Sequence, residues 1–233
     1  MEEGKALDQG PHGGDRAYLP RGGRQLKVPL AREGWIFFLP PLILAAAAGL
    51  TGHGILAVVF GALGAFLLSF FRDPERNCVG GEEMILSPAD GTVLSIAPAP
   101  ESPPGAARRI SIFMSVFNCH VNRSPVSGVL ADYVYSPGKK LAAFDEKSST
   151  QNEQNRITLQ SERSPVVFKQ IAGLLARRIV FYPRPGDRLG RGQRIGIILF
   201  GSRVDLFAPD GAELLVKPGD KVRAGQTELA RWT

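Results

Sequence analysis

The 233-residue chain is poor in the residues that staple small folds and build metal sites: it has two cysteines, Cys78 and Cys119, and three histidines, His12, His53 and His120. The thiols form no Cys-x-x-Cys pair and no second histidine stands near either, so a disulfide scaffold and a structural zinc module are excluded and no metal is expected. A glycine-rich phosphate loop leading into a helix is also missing, which argues against a nucleotide-binding α/β fold. Twenty-eight basic against 22 acidic residues give a net charge of +6. No aromatic interleaving or helix-turn-helix pattern accompanies that charge, so nucleic acid is not an expected partner.

Charge itself is missing from one stretch. The 38 residues from Gly34 to Phe71 hold no Asp, Glu, Lys or Arg. The run starts too late and continues too long for a secretory signal, and it divides at Thr51-Gly52-His53-Gly54 into halves that would each reach about 26 Å as helix. Against a hydrocarbon core of ~30 Å, two thin spans or a hairpin embedded in one leaflet both fit. Pro40-Pro41 predicts a break in the first half. Ala45 to Ala48 and Gly61, Ala62, Gly64 and Ala65 are small enough to let two helices approach closely. Residues 16–32 carry five basic groups and no acidic one, and Arg72 and Arg76 follow the apolar run, so both flanks are expected on the cytoplasmic side. Residues 1–33 read as a basic tail with a disordered start, 34–71 as a membrane-associated hairpin, and 72–233 as the functional domain.

What is abundant in that last part is turn chemistry, in a chain with 27 glycines and 18 prolines. Short β-branched runs separated by Pro, Gly, Asp and Asn predict a mainly β, barrel-sandwich-like domain behind the helical hairpin. The expected strands are Gly91–Ile96, Ile110–Phe117, Gly128–Tyr135, Arg156–Gln160, Val166–Ala172, Arg178–Phe181, Arg194–Phe200, Val204–Phe207, Glu213–Val216 and Glu228–Trp232, with a helical turn at Leu141–Phe144. A repeat supports this: Pro185-Gly186-Asp187-x-Leu189-x-x-Gly192-Gln193 returns 33 residues later as Pro218-Gly219-Asp220-x-Val222-x-x-Gly225-Gln226. Paired turns of this kind occur in lipoyl- and biotinyl-like carriers, which gives an alternative reading as a carrier or membrane-anchored adaptor. Lys217 precedes its turn instead of capping it, which weakens that alternative.

Three segments carry chemistry. Phe200-Gly201-Ser202-Arg203-Val204-Asp205 sets a Gly-Ser step between apolar strands, Ser87-Pro88-Ala89-Asp90-Gly91-Thr92-Val93 puts an aspartate on a tight turn, and His120-Val121-Asn122-Arg123-Ser124-Pro125 holds the one histidine of the polar part. Together they resemble the short bacterial phosphatidylserine decarboxylase proenzymes, over residues 34–233. The resemblance implies self-cleavage of the Gly201–Ser202 bond into a β chain (1–201) and an α chain (202–233) that remain together. Ser202 would become a covalently bound pyruvoyl group, the only cofactor. It also implies Asp90 as the orienter of a base, His120 at the reacting centre, and phosphatidylserine as substrate.

The residue types suit that cut. A serine hydroxyl can attack the preceding carbonyl once a base takes its proton and donors hold the oxyanion. Glycine tolerates the unusual backbone this needs. The resulting ester eliminates to dehydroalanine, which hydrolyses to pyruvoyl and ammonia, and the pyruvoyl carbonyl then serves as electron sink for carbon dioxide loss. Longer family members have a second histidine three residues after the first, where this chain has Arg123, and a Ser or Thr where it has Arg203. Nine basic residues against one acidic, Asp187, lie from Arg163 to Arg203, a bias that could hold the domain against an anionic membrane surface.

Overall fold

The structure is a computed structural model that describes residues 29–99, 106–139, 141–173, 178–199 and 201–233. The basic tail up to residue 28, Arg177 and Phe200 lie outside the described residues. Two apolar helices come first, α1 (Trp35–Leu50) and α2 (Gly54–Phe70), reversing at Thr51–His53 where the sequence divides. Pro40 and Pro41 sit inside α1, which runs on unbroken, contrary to the expected break. Both lie in its second turn, so only the carbonyls of Ile36 and Phe37 lose an i+4 donor. Close packing against α2 supports the helix there: a Cβ at Gly64 would overlap the Leu42 side chain, whereas one at Gly61 would meet nothing. With the turn Arg32–Gly34, α1 forms a 19-residue helical stretch long and apolar enough to cross a membrane; α2 is shorter.

The remaining chain is mostly strand. In order these are β1 (Met84–Leu86), β2 (Gly91–Pro98), β3 (Ala106–Met114), β4 (Val121–Arg123), β5 (Gly128–Ser136), a short helix α3 (Ser148–Gln151), β6 (Gln154–Gln160), β7 (Pro165–Ala172), β8 (Ile179–Phe181), β9 (Arg188–Leu189), β10 (Arg194–Ile198), β11 (Ser202–Pro209), β12 (Glu213–Leu214), β13 (Lys221–Val222) and β14 (Glu228–Arg231). The helical turn expected at Leu141–Phe144 instead lies at α3. There the Asp145 carboxylate accepts the Lys147 N–H and the Asp145 carbonyl the Ser148 N–H, which starts the helix seven residues late.

One curled antiparallel sheet runs β13-β2-β3-β11-β7-β6-β5-β9, and two three-stranded sheets, β1-β14-β12 and β4-β10-β8, close its ends. This order is a palindrome. If β1–β2–β3 is matched to β4–β5–β6 and β11–β14 to β7–β10, the β11–β7 pairing maps onto itself and every other pairing onto another, so a pseudo-two-fold axis passes between β11 and β7. The repeated turns obey it closely. Gly186 and Gly219 share φ +94°, Gly192 and Gly225 lie at +71° and +70°, and the Ser124 and Ser87 carbonyls accept the Gly192 and Gly225 N–H groups at 2.8 Å each. The core between the sheets is mainly aliphatic, with Ile85, Ile110, Ile112, Leu130, Ile157, Ile195, Val204 and Leu206 buried beside Phe168.

A second cluster joins hairpin to domain: Phe38, Leu67, Phe70 and Phe71 pack with Cys119, Val121, Ile197 and Leu199. The boundary at residue 71 therefore cuts through shared packing. Asp73, just beyond it, bridges Arg123 and Arg194.

Candidate active site

Gly201 enters β11 at φ +70°, a conformation that an L side chain seldom adopts. Ser202 follows as the first residue of the strand, wholly buried, with Met114 of β3 on one side and Ala172 of β7 on the other. Its hydroxyl donates to the Met114 sulfur at 3.2 Å, a weak acceptor, and the Gly201 carbonyl accepts the Gly173 N–H at 3.1 Å. The hydroxyl is thus lightly held and the preceding carbonyl already has a donor.

His120 follows the loop that leaves β3 at Met114 and precedes β4. Asn118 shapes that loop by accepting the Ser115 N–H and hydroxyl, both at 2.9 Å. Its carbonyl lies 3.0 Å from His120 Nδ1; a carbonyl only accepts, so Nδ1 carries the proton and Nε2 keeps a lone pair. Nε2 is buried and has no hydrogen-bond partner among the described residues. The ring stacks on Phe70 at 4.1 Å, so the last turn of α2 forms one wall of its site. Burial lowers the imidazole pKa to about 4; the Asn118 bond opposes this, the Arg72 charge adds to it, and the Asp90 carboxylate acts against it. His120 is consequently a neutral, unengaged base at physiological pH.

Asp90 is held elsewhere. Both of its oxygens bind the Arg76 guanidinium, and Oδ1 also accepts the Ala224 N–H at 2.8 Å. Among the described residues no hydrogen bond joins it to His120; its influence there is through space. That pair raises the Arg76 pKa. The pseudo-symmetric counterpart of Asp90 is Ser127, whose hydroxyl accepts the Arg191 N–H, so the carboxylate marks one half of the domain only. Arg123 donates to the Gly192 and Pro74 carbonyls and to Asp73; its guanidinium ties the hairpin's exit to the β9–β10 turn. Burial lowers its pKa.

Sequence reasoning passed over several neighbours. Behind β11, Arg203 and Asp205 form an ion pair at 2.6 Å that is almost wholly buried, completed by Ser111 at 2.6 Å on the arginine and Ser149 of α3 at 2.6 Å on the carboxylate. Within the domain, Tyr133 donates to Asn155, Asn155 to Gln170 and Gln170 to Asn122, whose own N–H points at the Met114 sulfur that Ser202 uses. Asn122 stands in the histidine segment and Arg203 and Asp205 in the Gly-Ser segment, so their positions were visible; their partners, distant in sequence, were not. The basic bias from Arg163 to Arg203 is also smaller at the surface than its count: Arg203 is buried, and Arg194 is engaged by Asp73 and Glu75.

Comparison with known proteins points to one family. The family model described as phosphatidylserine decarboxylase matches residues 63–230. The phosphatidylserine decarboxylase proenzyme of Geotalea uraniireducens (strain Rf4) is 45% identical over 208 residues, covering 88% of this chain and 98% of that protein. Those of Symbiobacterium thermophilum (45% over 205 residues; 87% and 95%) and Trichlorobacter lovleyi (47% over 194 residues; 82% and 89%) are similar to the same extent. The decarboxylase reading displaces the carrier alternative.

Proposed function

The chain belongs to the phosphatidylserine decarboxylase family and is a decarboxylase, and from that premise we propose that it converts phosphatidylserine to phosphatidylethanolamine with a pyruvoyl group made from its own Ser202. The observation that carries this reading is the Gly201–Ser202 junction: a left-handed glycine, a buried serine, and a carbonyl already in a hydrogen bond. The residues present fit the group. Ser202 faces a thioether and not water, so a carbonyl generated there stays dry. β11 is paired along both edges, so the new N-terminus remains in place after the cut and residues 202–233 stay bound to the rest. Once formed, the pyruvoyl group supplies the electron sink for loss of carbon dioxide.

His120 contributes the proton chemistry. Its Nε2 lone pair can take the Ser202 proton during self-cleavage, and the same nitrogen can return a proton to the substrate carbon afterwards. Asp90 serves as a positioning residue: it fixes Arg76 and the Ala224 turn and biases His120 through its charge. Arg123, always protonated and bound to carbonyls, leaves the base role to His120.

The hairpin supports a membrane location, with the β domain on the cytoplasmic side and its basic surface toward anionic lipid. Ile36, Leu50, Ile55 and Val58 are 76%, 90%, 83% and 71% exposed, a surface that only an apolar surrounding would cover. Phe117 extends it, 74% exposed and edge-on to Phe66 of α2, on the loop that carries His120.

Intact mass under denaturing conditions tests the chemistry. The wild type should separate into chains of 201 and 32 residues, the shorter one blocked at its N-terminus, and Ser202→Ala should stay whole and inactive. Normal processing of Ser202→Ala would remove the serine from the mechanism.

A further inference from the structure

We propose that the backbone N–H of Gly173 is the oxyanion donor for self-cleavage, an inference that rests on the reading of Gly201–Ser202 as the cleaved bond. In the first step Ser202 Oγ bonds to the Gly201 carbonyl carbon, the hydroxyl proton goes to a base, and the carbonyl π electrons move onto the oxygen. The carbon–nitrogen bond then breaks, the nitrogen takes up a proton, and an ester joins Gly201 to Oγ. Negative charge thus develops on one atom, the Gly201 oxygen, and Gly173 N–H already lies 3.1 Å from it. That distance falls within reach of a donor to the charged oxygen. A neutral hydrogen bond that becomes charge-assisted roughly doubles in strength, so this contact favours the transition state over the ground state.

Two glycines meet here for different reasons. A Cβ at Gly201 would touch nothing within 4 Å, so its requirement is the positive φ. A Cβ at Gly173 would stand 2.5 Å from the Gly201 oxygen and 3.1 Å from its carbon, so Gly173 is required by the closeness of the carbonyl itself. Ala143, from the segment that covers β11, lies against the same spot, 3.1 Å from that Cβ position. Gly173 is buried, so the donor works away from water, where such a contact is strongest. The pseudo-symmetric counterpart of Gly201-Ser202 is Arg163-Ser164, which keeps a serine but lacks the glycine before it, so the left-handed junction belongs to one half of the domain.

An amide-to-ester replacement at Gly173, made by incorporating glycolic acid during cell-free translation of the full chain, deletes the N–H and keeps the shape. Ala172 offers a matched control: its N–H donates to the Glu153 carbonyl at 2.9 Å, not to the cleaved bond, and lactic acid replaces it. In pulse-chase measurement the Gly173 ester should cleave about 10²- to 10³-fold more slowly than wild type, the usual worth of one oxyanion donor, and the Ala172 ester within a few-fold of it. Capture of the ester intermediate by hydroxylamine should fall in step. Gly173→Ala gives an encoded second test, since its Cβ would push the carbonyl off the donor; slow cleavage is again expected. Wild-type cleavage in the Gly173 ester, or equal slowing in both esters, overturns the proposal while leaving the cleavage site intact. A wild type that is never cut at Gly201–Ser202 overturns the underlying reading, and this inference with it.

Discussion

The hairpin and the β domain are built with opposite polarity. Along α1 and α2 the large apolar side chains Ile36, Leu50, Ile55 and Val58 face outward, and the buried side chains, Phe38, Leu67 and Phe70 among them, lie toward the base of the hairpin. In the β domain the surface is polar, whereas His120, Asn122, Gln170, Ser202 and Asp205 are wholly buried. The difference teaches how each part is held. A hairpin with its apolar face outside needs a surrounding that water does not supply, while a domain with polar groups inside depends on each finding a partner, since an orphaned buried charge costs several kcal/mol. The parts meet at Phe70, where a hairpin side chain stacks on the domain's buried imidazole, so the hairpin and the proposed base share a wall.

The sharpest way to break the contrast is at the buried pair behind β11. Asp205→Ala strands the Arg203 guanidinium in the interior and is expected to cost about 3–5 kcal/mol, read as a lower urea midpoint of the uncut Ser202→Ala background. The double change Arg203→Met, Asp205→Leu should recover most of that loss. If Asp205→Ala is as stable as its parent, water reaches the pair and the interior is not closed.

Acid acts on the same interior more gently. The unfolded chain binds a proton at His120 near pH 6.5 and the folded chain only near pH 4, so between those values the unfolded state holds more protons. Stability should therefore be unaffected by this group above about pH 6.5 and fall as pH drops toward 4, by about 3 kcal/mol in all. Urea midpoints measured against pH should show a steeper acid limb for wild type than for His120→Asn, and parallel limbs would mean that the imidazole is not buried neutral.

Replacing the proposed base is expected to cost slightly less in barrier height than these changes cost in stability. His120→Asn should slow self-cleavage and, per pyruvoyl group formed, slow decarboxylation by about a hundredfold or more, near 2.7 kcal/mol. The wild-type cleavage rate should stay level from pH 8 to about 5 and decline only near pH 4, because the base is neutral throughout that range. A midpoint at 6.5 would place the titrating imidazole in water. Asp90→Asn should act mainly on cleavage, through Arg76 and the Ala224 turn.

Much of this contrast is legible in the sequence, and the parts that are not share a cause. The uncharged run, its division at Thr51–Gly54, the longer strands and the repeated turns are local patterns of period, composition and glycine placement. The Gly-Ser step, Asp90 and His120 stand out as residue types in recognisable segments. β1, β4, β9 and β13 are two or three residues long, too short for alternation to register, and exist because longer neighbours pair with them. Gly173 reads only as a strand terminator until β11 is laid beside it. The Arg76–Asp90, Gln170–Asn122 and Asp205–Ser149 contacts join residues far apart in the chain, so no window contains both partners. Pro40-Pro41 shows the converse, a strong local signal overruled by packing between α1 and α2.

The smallest expected effect on the domain comes from the face that looks most out of place in water. Ile55 and Val58 lie on α2 with 83% and 71% of their surface exposed, so changing both to serine removes no protein contact of consequence. The unfolding free energy of the β domain, from urea titration, should move by less than about 0.5 kcal/mol per site, as for other exposed positions. Binding to vesicles should fall markedly, because each change withdraws apolar area that only lipid would bury, worth up to about 2 kcal/mol per side chain. Turnover of phosphatidylserine in vesicles should fall with it, while turnover of a short-chain soluble analogue should hold, since Phe70 and the His120 wall are untouched. Co-sedimentation with vesicles beside the two turnover assays separates the cases. Unchanged vesicle binding with a lowered midpoint would show that this face packs against protein, and the opposite polarity of the two regions would then be a property of the isolated chain alone.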